Sequence, residues 1–262
     1  KLSLLSCNQN YKKNTMEKFI GFIPATLNSP SRFPGRAIAD IEGMPSIIHA
    51  AKRSLLSKRV NKIIVCTDSD RIVEICREYN IEFEITDDNF INGTERVASI
   101  AHKYEFEFAI DISAEEPLID PEHIDAVAEC ISLNNRNEDI VIPIVDFPYT
   151  SPETIIRVQS SLSGRVMTLS RSEIPNRFDK PLPLISKHLP IIGFKKGALK
   201  KYIKLAPTPN EQCENIAMLR ALENDMNVYC TEVKSNYFSF DLQDEILKAR
   251  VAIKTDKYFG SY

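Results

Sequence analysis

Four short segments hold residue types that can do chemistry. The first is a polar loop, Pro24-Ala25-Thr26-Leu27-Asn28-Ser29-Pro30-Ser31-Arg32-Phe33-Pro34-Gly35-Arg36. Two guanidinium groups four residues apart, with Pro-Gly between them, suit a polyphosphate whose oxygens are cradled by backbone N–H groups. The same residues also make an ordinary solvated turn. Neither GxxxxGK[ST] nor GxGxxG occurs, so the loop is neither a P-loop nor a dinucleotide fingerprint. The second segment, Asn92-Gly93-Thr94-Glu95-Arg96, carries caps for a helix start. Arg96 sits badly with the positive end of that helix and asks for a partner. The third, Ser113-Ala114-Glu115-Glu116-Pro117, puts adjacent carboxylates where they hold a hard cation such as Mg2+ or form an acidic turn. In the fourth, Phe238–Glu245, Asp241 lies between apolar neighbours as a second ligand for that ion or as a helix cap.

Other residue types offer less. Cys7, Cys66, Cys76, Cys130, Cys213 and Cys230 are scattered without CxxC or paired Cys/His spacing, which excludes a zinc ribbon and a disulfide framework. Of the four histidines, His49, His102 and His123 fall in predicted helices. His188 lies in a Pro-rich irregular stretch and is the one to follow. No Ser/His/Asp spacing points to a protein nucleophile.

The elements that must position these segments follow from apolar periodicity. Phe19–Pro24 reads as a buried first strand. A helix carries Ile47, Ile48, Ala51 and Leu55 on one face, and Lys62–Thr67 is a second strand. Ser69 caps a helix to Tyr79. A short strand at Glu82–Ile85 precedes a helix over Thr94–Tyr104, a strand over Phe108–Ile112 and a helix over Pro121–Ser132. This alternation predicts an α/β fold: a mostly parallel sheet with helices on both faces. Beyond Ile140 the pattern changes to an antiparallel insertion. Ile155–Gln159 and Val166–Ser170 make a hairpin, Leu189–Lys195 and Val228–Val233 strands, and Glu211–Asn224 and Asp244–Ile253 helices. We expect an N-terminal extension over 1–18, with Met16 placed to serve as a start, one α/β domain over 19–252, and a tail over 253–262.

Composition narrows the function classes. The 262 residues carry 33 Lys+Arg against 36 Asp+Glu, a net charge of −3, which gives a nucleic acid no basic surface to bind. An apolar fraction of 43% and a charged fraction of 26% describe a folded globular chain. No apolar run reaches the roughly 18 residues of a membrane span, and no secretory signal precedes the first strand. The cytoplasm is the expected home.

Taken in order, Ile23–Arg36, Asn92–Arg96, Glu116–Pro117, Ser170–Pro175, His188, Pro207–Arg220 and Phe240–Asp241 resemble the 3-deoxy-manno-octulosonate (Kdo) cytidylyltransferases from about Phe19 to Ala252. The resemblance implies a nucleotidyltransferase-like fold, Mg2+, a homodimer and a place in lipopolysaccharide biosynthesis. It implies that the anomeric hydroxyl of a sugar acid attacks the α-phosphorus of CTP and releases pyrophosphate. Arg32 and Arg36 would then hold the triphosphate, and Glu115 and Asp241 the metal. Pro24, Ala25, Asn92, Thr94 and Arg96 would face the nucleotide. Ser113, Arg171, His188, Glu211 and Gln212 would line the acceptor pocket, Arg171 matching a carboxylate by its planar fork.

The chain also departs from that family. Thr26 stands where the family has arginine, and Arg36 replaces a lysine. Gln-Gly-Asp-Glu-Pro becomes Ser113-Ala114-Glu115-Glu116-Pro117, and a tyrosine becomes Ile192. These changes remove an amide and a hydroxyl from the acceptor pocket. They open two further readings: CTP-dependent transfer to another acceptor, such as 8-amino-Kdo or a phosphorylated metabolite, and a nucleotide-binding paralogue without catalysis.

Overall fold

A computed structural model describes residues 17–27, 35–148, 155–176, 184–234 and 245–262. The described residues begin with β1 (Glu17–Ala25), a 3-10 turn (Arg36–Ile38), a small hairpin of β2 (Asp40–Ile41) and β3 (Met44–Pro45), and α1 (Ser46–Ser54). Then come β4 (Ile63–Thr67), α2 (Asp70–Glu78), β5 (Glu82–Ile85), α3 (Gly93–Ile100), β6 (Phe106–Ile112) and α4 (Pro121–Leu133). The second half holds β7 (Ile140–Pro148), β8 (Arg157–Ser160), β9 (Val166–Ser170), β10 (Leu184–His188) and β11 (Ile191–Lys195). It closes with α5 (Lys196–Tyr202), α6 (Pro209–Glu214), α7 (Ala217–Glu223), β12 (Val228–Glu232) and α8 (Glu245–Lys254).

One sheet runs through the molecule in the order β5-β4-β1-β6-β11-β7-β10-β8-β9, with β12 beside β7. β5, β4, β1 and β6 are mutually parallel. β11 turns the direction by pairing antiparallel with β6, and the expected β8–β9 hairpin extends the far edge. The antiparallel segment therefore continues the parallel sheet as one surface. Alternate residues of β1 explain why both sides are covered. Ile20 and Phe22 pack with Val97 and Ile100 of α3, Leu199 and Tyr202 of α5, and Met218 of α7. Phe19 and Ile23 pack on the other side with Ile47 and Ile48 of α1, Ile72 and Ile75 of α2, and Val127 and Ile131 of α4. A strand buried on both faces has to read as a continuous apolar run, and this one does.

Beyond β2, β3, β7 and α5, for which the sequence pattern offers no counterpart, three segments differ from expectation. The helix from Thr94 ends at Ile100 and tightens into a 3-10 turn over Ala101–Lys103. The helix expected over Glu211–Asn224 is two, α6 and α7, because Asn215 takes a left-handed conformation at φ 52; asparagine tolerates that better than most residues. The Pro-rich stretch read as irregular contains β10, which pairs with both β7 and β8.

Candidate active site

Parallel pairing brings the carboxyl ends of β1, β4, β5 and β6 to one edge, and Ile191 at the start of β11 joins it opposite Ile112. Ligands of such sheets bind at this edge. A cleft of about 500 Å³ opens there, lined by Pro24, Ala25, Asn92, Thr94, Arg96, Ser113, Glu115 and His188 among others. Residues from segments far apart in sequence, expected on the nucleotide and acceptor sides, thus share one cavity.

The lip formed by α3 is held closely. A Cβ on Gly93 would stand 2.8 Å from Pro24 Cγ, so glycine lets the helix start seat against the end of β1. Asn92 Oδ1 accepts from the Glu95 N–H at 2.9 Å, and Asn92 Nδ2 donates to Glu211 Oε1 at 2.9 Å. Arg96 finds the partner it needs. Its Nη2 donates to Asp68 Oδ2 at 2.8 Å, and its Nη1 to the Asp87 carbonyl at 3.0 Å and to Thr86 Oγ1. It therefore ties the ends of β4 and β5 to α3. Thr26 Oγ1 donates to the same Asp68 carboxylate at 3.2 Å.

At the carboxylate segment, Arg36 Nη2 lies 3.0 Å from Glu115 Oε2 and 4.0 Å from Glu116 Oε1. Glu115 keeps about a quarter of its side chain exposed, whereas Glu116 is buried. No group of three or more potential metal ligands occurs among the described residues. Mg2+ is commonly held by one or two carboxylates together with substrate phosphates, and Glu115 fits that sparse donor set. Arg32 and Asp241 lie outside the described residues.

Of the residues expected at the acceptor, Ser113 and His188 line the cleft. Burial, with Lys187 adding to it, pulls the His188 imidazole down to about 4, so it is a neutral hydrogen-bonding group at pH 7. Four expected residues stand outside the lining: Arg36, which is paired with Glu115 at its edge, and three expected at the acceptor. Arg171 Nε donates to the Glu214 carbonyl at 2.8 Å and its Nη2 to the Asn215 carbonyl at 3.2 Å. Glu211 is buried and takes a two-pronged contact from Arg220, at 2.6 Å and 2.7 Å. Gln212 is exposed on α6. Arg171 and Glu211 thus fix the α6–α7 junction, whose Asn215, Ile216 and Ala217 do line the cleft.

Asp68, Asp111 and the junction residues were not singled out from sequence. Asp111 accepts from Thr94 Oγ1 at 2.8 Å, and burial pushes its carboxyl up to about 7. The one acid inside the otherwise apolar stretch Phe108–Ile112 was the available signal.

The sequence profile described as "Cytidylyltransferase" matches residues 20–233. The chain is 31% identical over 234 residues to 3-deoxy-manno-octulosonate cytidylyltransferase of Nitratiruptor sp., covering 86% of this chain and 96% of that protein. The enzyme of the same name from Chlamydia trachomatis is 30% identical over 225 residues, 83% of this chain and 87% of that one. In fold, the chain matches a CMP:2-keto-3-deoxy-manno-octonic acid synthetase complexed with CTP at a TM-score of 0.83 and 23% identity, over 90% of this chain and 98% of that chain. A cytidylyltransferase from Leptospira borgpetersenii follows at 0.63 and 14% identity, over 92% and 88%. The nucleotidyltransferase-like fold is therefore the one expected, and the chain belongs to the cytidylyltransferase family, alongside the 3-deoxy-manno-octulosonate cytidylyltransferases.

Proposed function

We propose that this chain transfers CMP from CTP to Kdo or a closely related sugar acid. The observation that carries this reading is the single cleft lined from the nucleotide side by Pro24, Ala25 and Thr94, from the acceptor side by Ser113 and His188, and by Glu115. In the reaction the anomeric hydroxyl oxygen bonds to the α-phosphorus of CTP. The bond from that phosphorus to the β-phosphate bridging oxygen breaks, pyrophosphate departs, and the hydroxyl proton passes to solvent. No protein nucleophile is required, because phosphoryl-type transfer is mostly positioning and electrostatics.

The chain's own groups supply both. Backbone at Pro24–Ala25 and the α3 start bind the nucleoside, with Thr94 and Asn92 fixed by their own hydrogen bonds. Arg36 and Arg32 offer planar forks to the triphosphate and the leaving group. Neutral His188 orients an acceptor hydroxyl without adding charge. Arg171 and Glu211 act as positioning residues through the α6–α7 junction. Bound at Glu115 and Asp241, Mg2+ would neutralise charge on the α-phosphate and lower the pKa of the attacking hydroxyl. A homodimer is supported by the resemblance to the Kdo cytidylyltransferases. Cytoplasmic placement is supported by the five cysteines among the described residues, all of them free.

The test is pyrophosphate release from CTP, Mg2+ and Kdo beside a no-acceptor control. We expect release that depends on acceptor, and a loss of at least ~100-fold in kcat for Glu115→Gln, as removal of a charge-stabilising group gives. CTP binding without release with any sugar acid would leave the non-catalytic paralogue instead.

A further inference from the structure

Resting on the cytidylyl-transfer reading, we propose that one wall of the cleft is built for a deoxygenated end, so that the preferred acceptor is a sugar acid that ends in a methyl group where Kdo carries its terminal hydroxyl. Ile156, Pro190, Ile192, Ile216, Ala217 and Met218 all line the cleft. They come from three separate places in the chain: the approach to β8, the corner between β10 and β11, and the α6–α7 junction with the start of α7. Ile216 and Met218 belong to the core beneath. Ile156, Ile192 and Ala217 pack on that core half-buried, so it surfaces in the cleft as an apolar wall.

The main chain of this wall is engaged as well. The Ile156 carbonyl accepts from the His188 N–H at 2.9 Å, and the Pro190 carbonyl from the Ser113 N–H at 3.1 Å. The Ile216 carbonyl accepts from the Leu219 N–H at 3.0 Å, and the Ala217 carbonyl from the Tyr202 hydroxyl at 3.1 Å. Ile192 pairs with Asp111 in the sheet. Polar side chains nearby are turned on one another: Asn92 donates to Glu211 and to the Tyr202 hydroxyl, and Thr94 donates to Asp111. A hydroxyl pressed against this wall gives up its hydrogen bonds to water for little in return, whereas a methyl gains by leaving water.

Position selects the end of the acceptor. Glu115 follows β6, while Ile192 stands opposite Asp111, within the strand. An acceptor that reacts at C2 beside Glu115 therefore turns its remote end, C8 of an octulosonate, toward Ile192.

The experiment measures kcat/KM for Kdo and 8-deoxy-Kdo, with CTP and Mg2+, in the wild type, Ile192→Thr and Ala217→Ser. Equilibrium binding of each acceptor is measured in parallel in the presence of a non-hydrolysable CTP analogue. We expect the wild type to favour 8-deoxy-Kdo by at least about 10-fold, the scale on which an apolar pocket discriminates one small group. Each substitution gives the wall a hydroxyl and should cut that ratio by about 3-fold or more. Ala217→Ser is the smaller change and reads the same wall if Ile192→Thr folds poorly. A wild type that uses Kdo as well as or better than 8-deoxy-Kdo overturns the proposal and leaves cytidylyl transfer standing. A preference that neither substitution reduces also overturns it, because the preference then arises away from the wall. Neither release nor binding with either acceptor overturns both readings together.

Discussion

Asp111 and His188 show how burial sets the charge inside the cleft, and in opposite directions. Burial raises the Asp111 carboxyl from its ordinary value to about 7. Between those two values the folded chain holds a proton that the unfolded chain has released. Stability therefore falls as pH rises through the window. Asp111→Asn keeps an acceptor for Thr94 while removing the ionisable group. The variant is expected to exceed the wild type at pH 8 by an amount on the order of 3 kcal/mol, and to match it near pH 4. Urea unfolding midpoints at the two pH values check this. An equal gain at both would mean that packing, not ionisation, distinguishes the side chains. At His188 the shift runs downward, so the neutral ring stabilises the fold above the ordinary histidine range and loses that contribution as pH falls toward 4. A cleft that receives two anions thus contains an acid that resists ionising and an imidazole that resists protonation.

At the scale of elements, the α3 start, which the proposed function gives to the nucleotide, seats directly against the end of β1. Gly93→Ala would place its methyl 2.8 Å from Pro24 Cγ, and a proline ring cannot swing aside. The helix start must shift, carrying Asn92 and Thr94 with it. The expected result is at least a ~10-fold rise in the CTP dissociation constant with a stability loss of only ~1–2 kcal/mol, measured by calorimetry and denaturant unfolding. Much of this architecture was legible in the sequence. β1 and β4 are sheathed on both faces and so appear as near-continuous apolar runs, and Ser69 and Asn92 announce the helices they cap. The break between α6 and α7 was illegible because it depends on a left-handed Asn215 whose carbonyl, with that of Glu214, receives Arg171 from a distant loop. β10 was hidden by prolines that precede the strand rather than interrupt it. The order of the site segments was visible, but Asp111 was not, since only pairing with β11 sets it beside Ile192. Arg171 and Glu211 show the converse: the chemistry of the side chains was plain, while their partners, fixed by tertiary packing, were not.

Across the whole molecule, the C-terminal residues close the fold around the opposite side of the carboxylate segment. Arg53 of α1 is buried, and donates from Nε to the Ile119 carbonyl at 2.8 Å and from Nη1 to Asp256. Its guanidinium also lies over the rings of Tyr258 and Tyr262, 5.1 Å and 5.9 Å from their centres. His49 donates from Nε2 to the Ile41 carbonyl at 2.8 Å, which leaves Nδ1 to accept the Tyr262 hydroxyl at 2.8 Å. Arg250 reaches Asp40, and Lys257 reaches Glu122 on α4. These contacts bind α8 and the residues after it to the β2–β3 hairpin, α1 and the start of α4 at once. The hairpin follows directly on the turn that carries Arg36, and the loop into α4 follows directly on Glu115–Pro117. Loosening the clamp should therefore reach the Arg36–Glu115 pair although no clamp residue enters the cleft. Asp256→Ala leaves a buried guanidinium without its carboxylate. Asp256 is itself partly exposed, so we expect a loss of ~1–3 kcal/mol rather than the larger cost of a fully enclosed pair. An Arg53→Met background should absorb most of that loss, because the methionine no longer presents a charge to be orphaned. If the clamp positions Arg36, Asp256→Ala also raises the KM for CTP more than it lowers kcat. An unchanged KM beside the stability loss would confine the clamp to holding the fold together.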